Sequence, residues 1–270
     1  MIPKVIHYCW FGENPFPELV LKCIESWEKY CPDYEIKKWD EDCFDVNAVP
    51  FTREAYLAKK WAFVSDYARL KIIYDYGGIY LDTDVELIRS LDSLLKDHCF
   101  LGAEKDGYVA TGLGFGAEKG NKAVGLMLKE YEGKEFLLPD GIYNLKPCPI
   151  LNTDALQRIG YKFSKDAIWG NEYVKVYPPD YFCPMDDVTK DIRVTNNTYS
   201  IHHFSASWFS EREREIKKAV DYVNMHFTGV RRIVEKQKIL YIIGMKYGYC
   251  SNYADYLLKR AKEKILWKTH

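Results

Sequence analysis

Gly77-Gly78-Ile79-Tyr80-Leu81-Asp82-Thr83-Asp84 is the stretch that decides how this chain is read. The glycine pair ends one element, Ile79-Tyr80-Leu81 is a short apolar strand, and two aspartates stand one residue apart at its exit. Side chains two apart on a strand point the same way, roughly 7 Å apart, and a bend at the strand's end brings such carboxylates to one focus. Hard cations such as Mg²⁺ and Mn²⁺ favour oxygen ligands and leave positions open for phosphate oxygens. A D-x-D triplet alone occurs in any solvated turn. An apolar strand before it changes the reading, because ligands of open α/β sheets bind at strand ends. A glycine pair adds to this by letting backbones approach closely.

Working outward, Lys4 to Trp10 has the apolar content of a buried strand, with Val5, Ile6, Tyr8 and Trp10. Pro17 to Tyr30 places Leu19, Val20, Cys23, Ile24 and Trp27 at helical spacing, and Tyr34 to Trp39 is a second strand. Strand, helix and strand at this spacing open a βαβ unit and a partly parallel sheet. Arg53 to Tyr76 reads as helix in two pieces, its inner stripe made by Phe63, Tyr67, Leu70, Ile73 and Tyr74, with Gly77-Gly78 as its stop. Two strands are expected within Phe100 to Gly116, the second in the glycine-rich run from Thr111. A helix is expected over Asn121 to Tyr131, and a short helix within Pro147 to Gly160 that Asn152 or Thr153 could cap. Later strands are expected at Tyr173 to Tyr177 and Tyr199 to Phe204, and from Trp208 onward the pattern is mostly helical.

The composition suits a folded chain. Across 270 residues, 47% hydrophobic content supplies a sizeable core, and 29% charged residues at a formal net charge of -1 argue against disorder. From Glu211 to the end there are 14 Lys and Arg against 7 Asp and Glu, a net of +7, so the preceding part carries -8. Charge and periodicity change together near Phe209, which predicts a catalytic domain over residues 1–208 and a basic helical extension over 209–270. The 8 cysteines show no C-x-x-C and no zinc spacing, as expected of reduced thiols. Met1-Ile2-Pro3-Lys4 leads straight into a strand without the pattern of a signal peptide, and no apolar run approaches the roughly 20 residues of a bilayer span. A cytoplasmic location follows as the expectation. Arg231-Arg232, Lys236 and Lys238 beside Ile239 to Ile243, then Lys259-Arg260 and Lys262, suit an anionic membrane face or a helical cap packed on the main domain. Nucleic-acid binding is disfavoured by the acidic candidate site.

Three segments carry a family resemblance. Phe63-Val64-Ser65-Asp66-Tyr67-Ala68-Arg69-Leu70, running on to Asp84, resembles the sugar-binding region of family 32 glycosyltransferases. These include yeast α-1,6-mannosyltransferases, animal α-1,4-galactosyltransferases and bacterial capsule and O-antigen enzymes. The same run is similar to that of the glucosylating clostridial toxins. Ile2 to Gly12 resembles the family's first strand, and Ile201-His202-His203-Phe204-Ser205-Ala206-Ser207-Trp208 its closing motif. The resemblance implies an α/β GT-A fold, a Rossmann-like mixed sheet flanked by helices. It also implies a divalent metal (Mn²⁺ or Mg²⁺), a nucleotide-sugar donor and retention of anomeric configuration. A UDP-hexose is the donor implied by the toxins and galactosyltransferases, and a glycan or lipid-linked oligosaccharide of bacterial surface polysaccharide synthesis the acceptor. Position by position, it makes Asp84 a metal ligand and Asp82 a contact to metal water, ribose or sugar. Asp66 and Arg69 would hold donor hydroxyls, His7 and Trp10 would lie at the nucleotide, and Ser207 and Trp208 would approach the donor phosphate. His202 is the favoured histidine ligand, with His203 competing.

Each assignment has a plain structural counterpart. Asp66 and Arg69 are an i,i+3 pair, which on a helix surface is worth a few tenths of a kcal/mol. Trp10 on a buried strand suits a core as well as a nucleobase, and adjacent strand histidines face opposite ways, so one of the two is structural. Asn152-Thr153-Asp154 is an acceptor-side cluster or a helix cap. Gly112, Gly114 and Gly116 lack G-x-G-x-x-G spacing and read as a tight strand near the acceptor. No nucleophile suggests itself except Asp154, so same-face attack through an oxocarbenium-like state, with the leaving diphosphate taking the acceptor's proton, is the expected course. Two rivals remain at this point: a metal-dependent phosphohydrolase, whose D-x-D-x-T motif would need threonine where Glu86 stands, and a non-catalytic sugar-binding protein.

Overall fold

The computed structural model describes residues 1–139, 141–186, 189–205, 211–252 and 256. The chain divides into two compact units, Met1–Ser205 and Ala206–His270. In the first, strand β1 (Val5–Cys9) leads to helix α1 (Glu18–Tyr30) and strand β2 (Glu35–Trp39). Helices α2 (Pro50–Leu57) and α3 (Trp61–Tyr76) follow, as the two-piece helix the sequence suggests. Then come β3 (Gly78–Tyr80), β4 (Val85–Leu87), β5 (Cys99–Gly102), β6 (Phe115–Ala117), α4 (Lys122–Lys129) and α5 (Cys148–Gln157). The unit closes with β7 (Trp169–Gly170), β8 (Lys175–Tyr177), the single turn α6 (Pro179–Phe182) and β9 (Ser200–His202).

Seven strands form one mixed sheet in the order β2-β1-β3-β6-β5-β8-β7. β1 is parallel to β2 and β3, and β5 is parallel to β8, while β6 runs antiparallel to both β3 and β5. β4 and β9 pair antiparallel in a separate two-stranded sheet. This is the helix-flanked mixed sheet that the GT-A resemblance implies.

Strand alternation splits the core into two layers, as the period of two requires. Ile6, Tyr8, Ile79, Leu81 and Phe100 turn to the face covered by Cys23 and Trp27 of α1. Cys9, Tyr80, Leu101 and Phe115 turn to the other face, against Val64, Ala68 and Ile72 of α3, Val124 of α4 and Ala155 of α5. Much of the aromatic content goes into these layers: Trp27, Tyr80, Tyr131, Phe100, Phe115 and Phe136 are fully buried.

Two local expectations change. The glycine-rich run is not a strand from Thr111: Thr111–Leu113 is a 3-10 turn, and the strand begins only at Phe115. Asn152 and Thr153 do not cap α5. They lie inside it, and Pro147 occupies the N-cap, where a missing N–H costs nothing. By contrast, Asn121 does cap α4, accepting from the backbone N–H of Ala123 and Val124.

In the second unit, α7 (Glu211–His226) and α8 (Gly229–Lys246) form a hairpin. Its open end is tied by Lys246 and Tyr247, whose side chains reach Glu215 at 2.7 and 2.9 Å. Val230, Ile233 and Ile242 of α8 are exposed. No described helix is long and apolar enough to cross a membrane.

Candidate active site

β1 and β3 are parallel neighbours, so their C-terminal ends share one edge of the sheet, and Asp82 and Asp84 leave the sheet there. Gly78 makes the approach possible. Its φ of 102° is a left-handed value, and a Cβ would sit 2.8 Å from the Val5 carbonyl oxygen and 2.9 Å from His7 Nε2. After β3 the chain bends, Val85 N–H closing a turn onto the Asp82 carbonyl at 3.0 Å. α1 then fixes the departing strand. The Trp27 indole donates to the Val85 carbonyl at 2.7 Å, and Ser26 Oγ accepts from Leu87 N–H at 2.9 Å.

The two aspartates have separate supports. Arg69, only 4% exposed, places one guanidinium nitrogen 3.1 Å from both Asp66 Oδ1 and Asp82 Oδ1. Asp82 Oδ1 also accepts from the Tyr80 hydroxyl at 3.1 Å, and the guanidinium lies over the Tyr80 ring. Asp66 and Arg69 are therefore not a surface pair. They form a buried bridge from α3 to the strand exit, with the Cys148 thiol 4.0 Å from Arg69 Nη1. Burial pushes the Asp82 carboxyl up to about 6, with Arg69 opposing the rise and Asp84 adding to it.

Asp84 is held from β9. His202 Nε2 lies 3.1 Å from its Oδ1, while the Ser205 backbone N–H and hydroxyl donate to its Oδ2 at 2.8 and 2.9 Å. Burial works against ionisation of Asp84, but His202 and Ser205 outweigh it and keep the carboxyl below its usual range. Burial likewise works against a charged His202, and the Asp84 carboxylate outweighs it, raising the imidazole.

Asp82, Asp84 and His202 bring one ligand atom each to within 4.8 Å of one another. His202 Nδ1 is buried without a partner. Two carboxylates and an imidazole, one of whose ring nitrogens is unspent, form a donor set that fits Mn²⁺ or Mg²⁺ with positions left for phosphate oxygens.

Other expected site residues fall elsewhere. His203 faces away, as strand alternation requires, with Nε2 2.8 Å from Glu86 Oε2, which also pairs with Lys22 at 3.0 Å. It is a strut between β9 and β4 rather than a member of the three-residue cluster. The pairing also occupies Glu86, the position a phosphohydrolase motif would fill with threonine. His7 is 2% exposed and spends both ring nitrogens: Nδ1 lies 3.0 Å from Trp39 Nε1, which donates, and Nε2 lies 3.1 Å from the Gly77 carbonyl oxygen. No atom is left for a nucleotide, so its expected role there is corrected to support of the sheet beneath the site. Trp10 is half-buried at the end of β1, donates to the Asn14 carbonyl at 2.7 Å and packs edge-on against Phe16. Asp154 is paired with Lys146 at 2.9 Å and is absent from the cluster. Ser207 and Trp208 lie outside the described residues.

Gly112 escapes a reading by motif. A Cβ there would stand 2.5 Å from Asp82 Oδ2 and 3.2 Å from Arg69 Nη1, so only glycine admits the carboxylate. The sequence signal was the glycine run itself, but nothing in it names Asp82 as the neighbour.

Residues 17–101 match the glycosyltransferase sugar-binding region containing DXD motif. Inositol phosphoceramide mannosyltransferase 3 of Schizosaccharomyces pombe is 37% identical over 98 residues, 35% of this chain and 27% of that protein. Mannosyl phosphorylinositol ceramide synthase CSH1 of Saccharomyces cerevisiae is 32% identical over 105 residues, 37% of this chain and 28% of that one. The chain thus aligns with less than a third of the length of either relative. Among solved structures, PaToxG Glycosyltransferase aligns with 59% of this chain and 70% of its own at 18% identity, with a TM-score of 0.44. Asp66, Arg69, Asp82 and Asp84 all lie within the matched region and are gathered at one strand exit, so over residues 17–101 the chain is similar to glycosyltransferases that carry this DXD-containing region.

Proposed function

We propose that this chain is a metal-dependent, retaining hexosyltransferase that moves a sugar from a nucleoside diphosphate to a glycan or lipid-linked acceptor. The observation that carries it is the convergence of Asp82, Asp84 and His202 at the C-terminal exit of β3. A divalent cation bound there would supply Lewis-acid neutralisation of the departing diphosphate. The protein's own groups set the geometry. Arg69 locks Asp82 from below, and Ser205 and His202 fix both oxygens of Asp84, so the carboxylates need no rearrangement during the reaction. Asp66, half-buried and held by the buried Arg69, offers a carboxylate acceptor to sugar hydroxyls. Trp10, half-buried at the same edge of the sheet, offers a ring for the nucleobase. Asp82 is engaged by Arg69 and Tyr80, and Asp84 by His202 and Ser205, which favours same-face attack with the diphosphate receiving the acceptor's proton over attack by either carboxylate.

Mannose is the sugar to test first, since both relatives described above carry mannosyl transfer in their names. UDP as the carrier and a bacterial surface polysaccharide as the product rest on the sequence resemblance. A screen of nucleotide sugars with Mn²⁺ and with chelator tests the reading. Metal-dependent release of a nucleoside diphosphate from one donor is expected. Phosphate release from simple phosphate esters, with every nucleotide sugar untouched, would overturn it in favour of a phosphohydrolase.

The exposed Val230, Ile233 and Ile242 beside Arg231 and Arg232 support a cytoplasmic enzyme that touches an anionic membrane surface through α8. Salt-sensitive sedimentation of the full chain with anionic but not neutral liposomes is expected. Equal recovery with both would remove the membrane role.

A further inference from the structure

A second concave site lies at the exit of another strand. A cleft of about 320 Å³ opens after β8, lined by Ile168, Pro178, Asp180, Tyr181, Asn197 and Lys165. Its volume falls within the roughly 300–1,000 Å³ range of small-molecule sites. β8 is parallel to β5, and β5 and β3 are both antiparallel to β6, so β8 and β3 end at the same edge of the sheet. The cleft and the aspartate pair therefore share the ligand-binding edge.

The two are joined by β9. The Tyr199 backbone N–H donates to the Tyr181 carbonyl at 2.8 Å, and the two rings stack. Three residues further along, His202 enters the metal cluster. At roughly 3.3 Å per extended residue, the cleft begins on the order of 10 Å from the imidazole. That is the reach of a short oligosaccharide whose attacking hydroxyl stands at the donor.

The lining suits a sugar rather than an ion or an acyl chain. Ile168, 44% exposed, Pro178 and the half-buried Tyr181 supply apolar surface of the kind that pyranose faces cover. Asn197 has its amide pinned by Asp180 Oδ2 at 2.9 Å, which orients a planar polar group at the rim. Carboxylates at Asp180 and Asp166 beside Lys165 leave no net positive charge for a phosphate. The carboxylates and the amide would strand an acyl tail against unpaired polar groups.

We propose that this cleft binds the sugar units of the acceptor next to the one that receives the transferred hexose, an inference that rests on the glycosyltransferase reading. The test uses the full chain and a panel of fluorescently labelled di-, tri- and tetrasaccharides of mannose, glucose and galactose. Three quantities are measured: binding without donor, hydrolysis of the nucleotide sugar by water, and transfer. Ile168→Glu, at an exposed position, and Tyr181→Ala are compared with wild type. The expected result is donor hydrolysis within about twofold of wild type, with the KM for the oligosaccharide raised at least tenfold in both variants and binding weakened in parallel. Should Tyr181→Ala fail to fold, Ile168→Glu alone decides. Unchanged KM and binding in the variants, or no binding of any panel member to wild type at millimolar concentration, would overturn the inference while donor hydrolysis persists. Absence of donor hydrolysis in the wild type would instead remove the glycosyltransferase reading beneath it.

Discussion

His7, buried, and His202, half-buried, both stand on strands of the first unit, and their surroundings push them in opposite directions. His7 lies in the core beneath the site. Burial drives its pKa down to about 4, the Gly77 carbonyl opposing and Lys37 adding to the fall, and both ring nitrogens are engaged. His202 lies at the sheet edge beside Asp84 and Asp82, which raise it against the cost of burial, and its Nδ1 has no partner. Burial alone therefore does not mark a functional histidine. What separates the two is hydrogen-bonding capacity: it is spent in His7 and left over beside carboxylates in His202.

The comparison breaks most sharply at the edge. Asp84→Asn should lower transfer at least roughly 10³-fold, the scale of losing a group that stabilises developing charge. Nucleoside diphosphate release with and without Mn²⁺ checks it, and wild-type activity in that variant would dissolve the contrast. Gly112→Ala should cost roughly 10²-fold, since a Cβ 2.5 Å from Asp82 Oδ2 must displace the carboxylate or Arg69. Steady-state rates compared with circular dichroism separate this from unfolding.

The core histidine is tested through stability. His7 binds fewer protons in the folded chain than in the unfolded one, because its folded pKa of about 4 is below the ordinary 6.5. Its contribution is thus fully present above pH 6.5 and is lost as pH falls toward 4, by about 3 kcal/mol for such a shift. Urea denaturation of wild type and His7→Gln across this window should show the steeper acid loss in wild type; parallel curves would refute it. The smallest effect belongs to His203→Ala. Its contact with Glu86 is partly exposed, so transfer should stay within about twofold and stability within about 1 kcal/mol. A loss as large as that of His202→Ala would merge the two histidines into one site.

Several elements were legible because their signals are local. The β1-α1-β2 opening follows from apolar spacing, the end of α3 from its glycine stop, and the exit of Asp82 and Asp84 from a glycine pair before an apolar triplet. Asp66 and Arg69 were nameable through the motif, yet their spacing described equally well a surface pair of small worth. Only the packing of α3 on β3 makes them a buried bridge. His7 shows the opposite failure: its place in a resembling strand suggested a nucleotide contact, and Trp39, 32 residues away, had already claimed its ring.

What the sequence determined by itself is the order of elements and the kind of chemistry at the β3 exit, since periodicity, glycine stops and a carboxylate pair act over a few residues. The tertiary structure decided which histidine joins that pair, why position 112 is glycine, and that a second cleft shares the same edge. Those depend on contacts between residues distant in the chain, such as Ser205 on Asp84, 121 residues apart, and Arg69 beside Gly112. Residues so far apart meet through strand order and register, and neither is written in any single stretch of the chain.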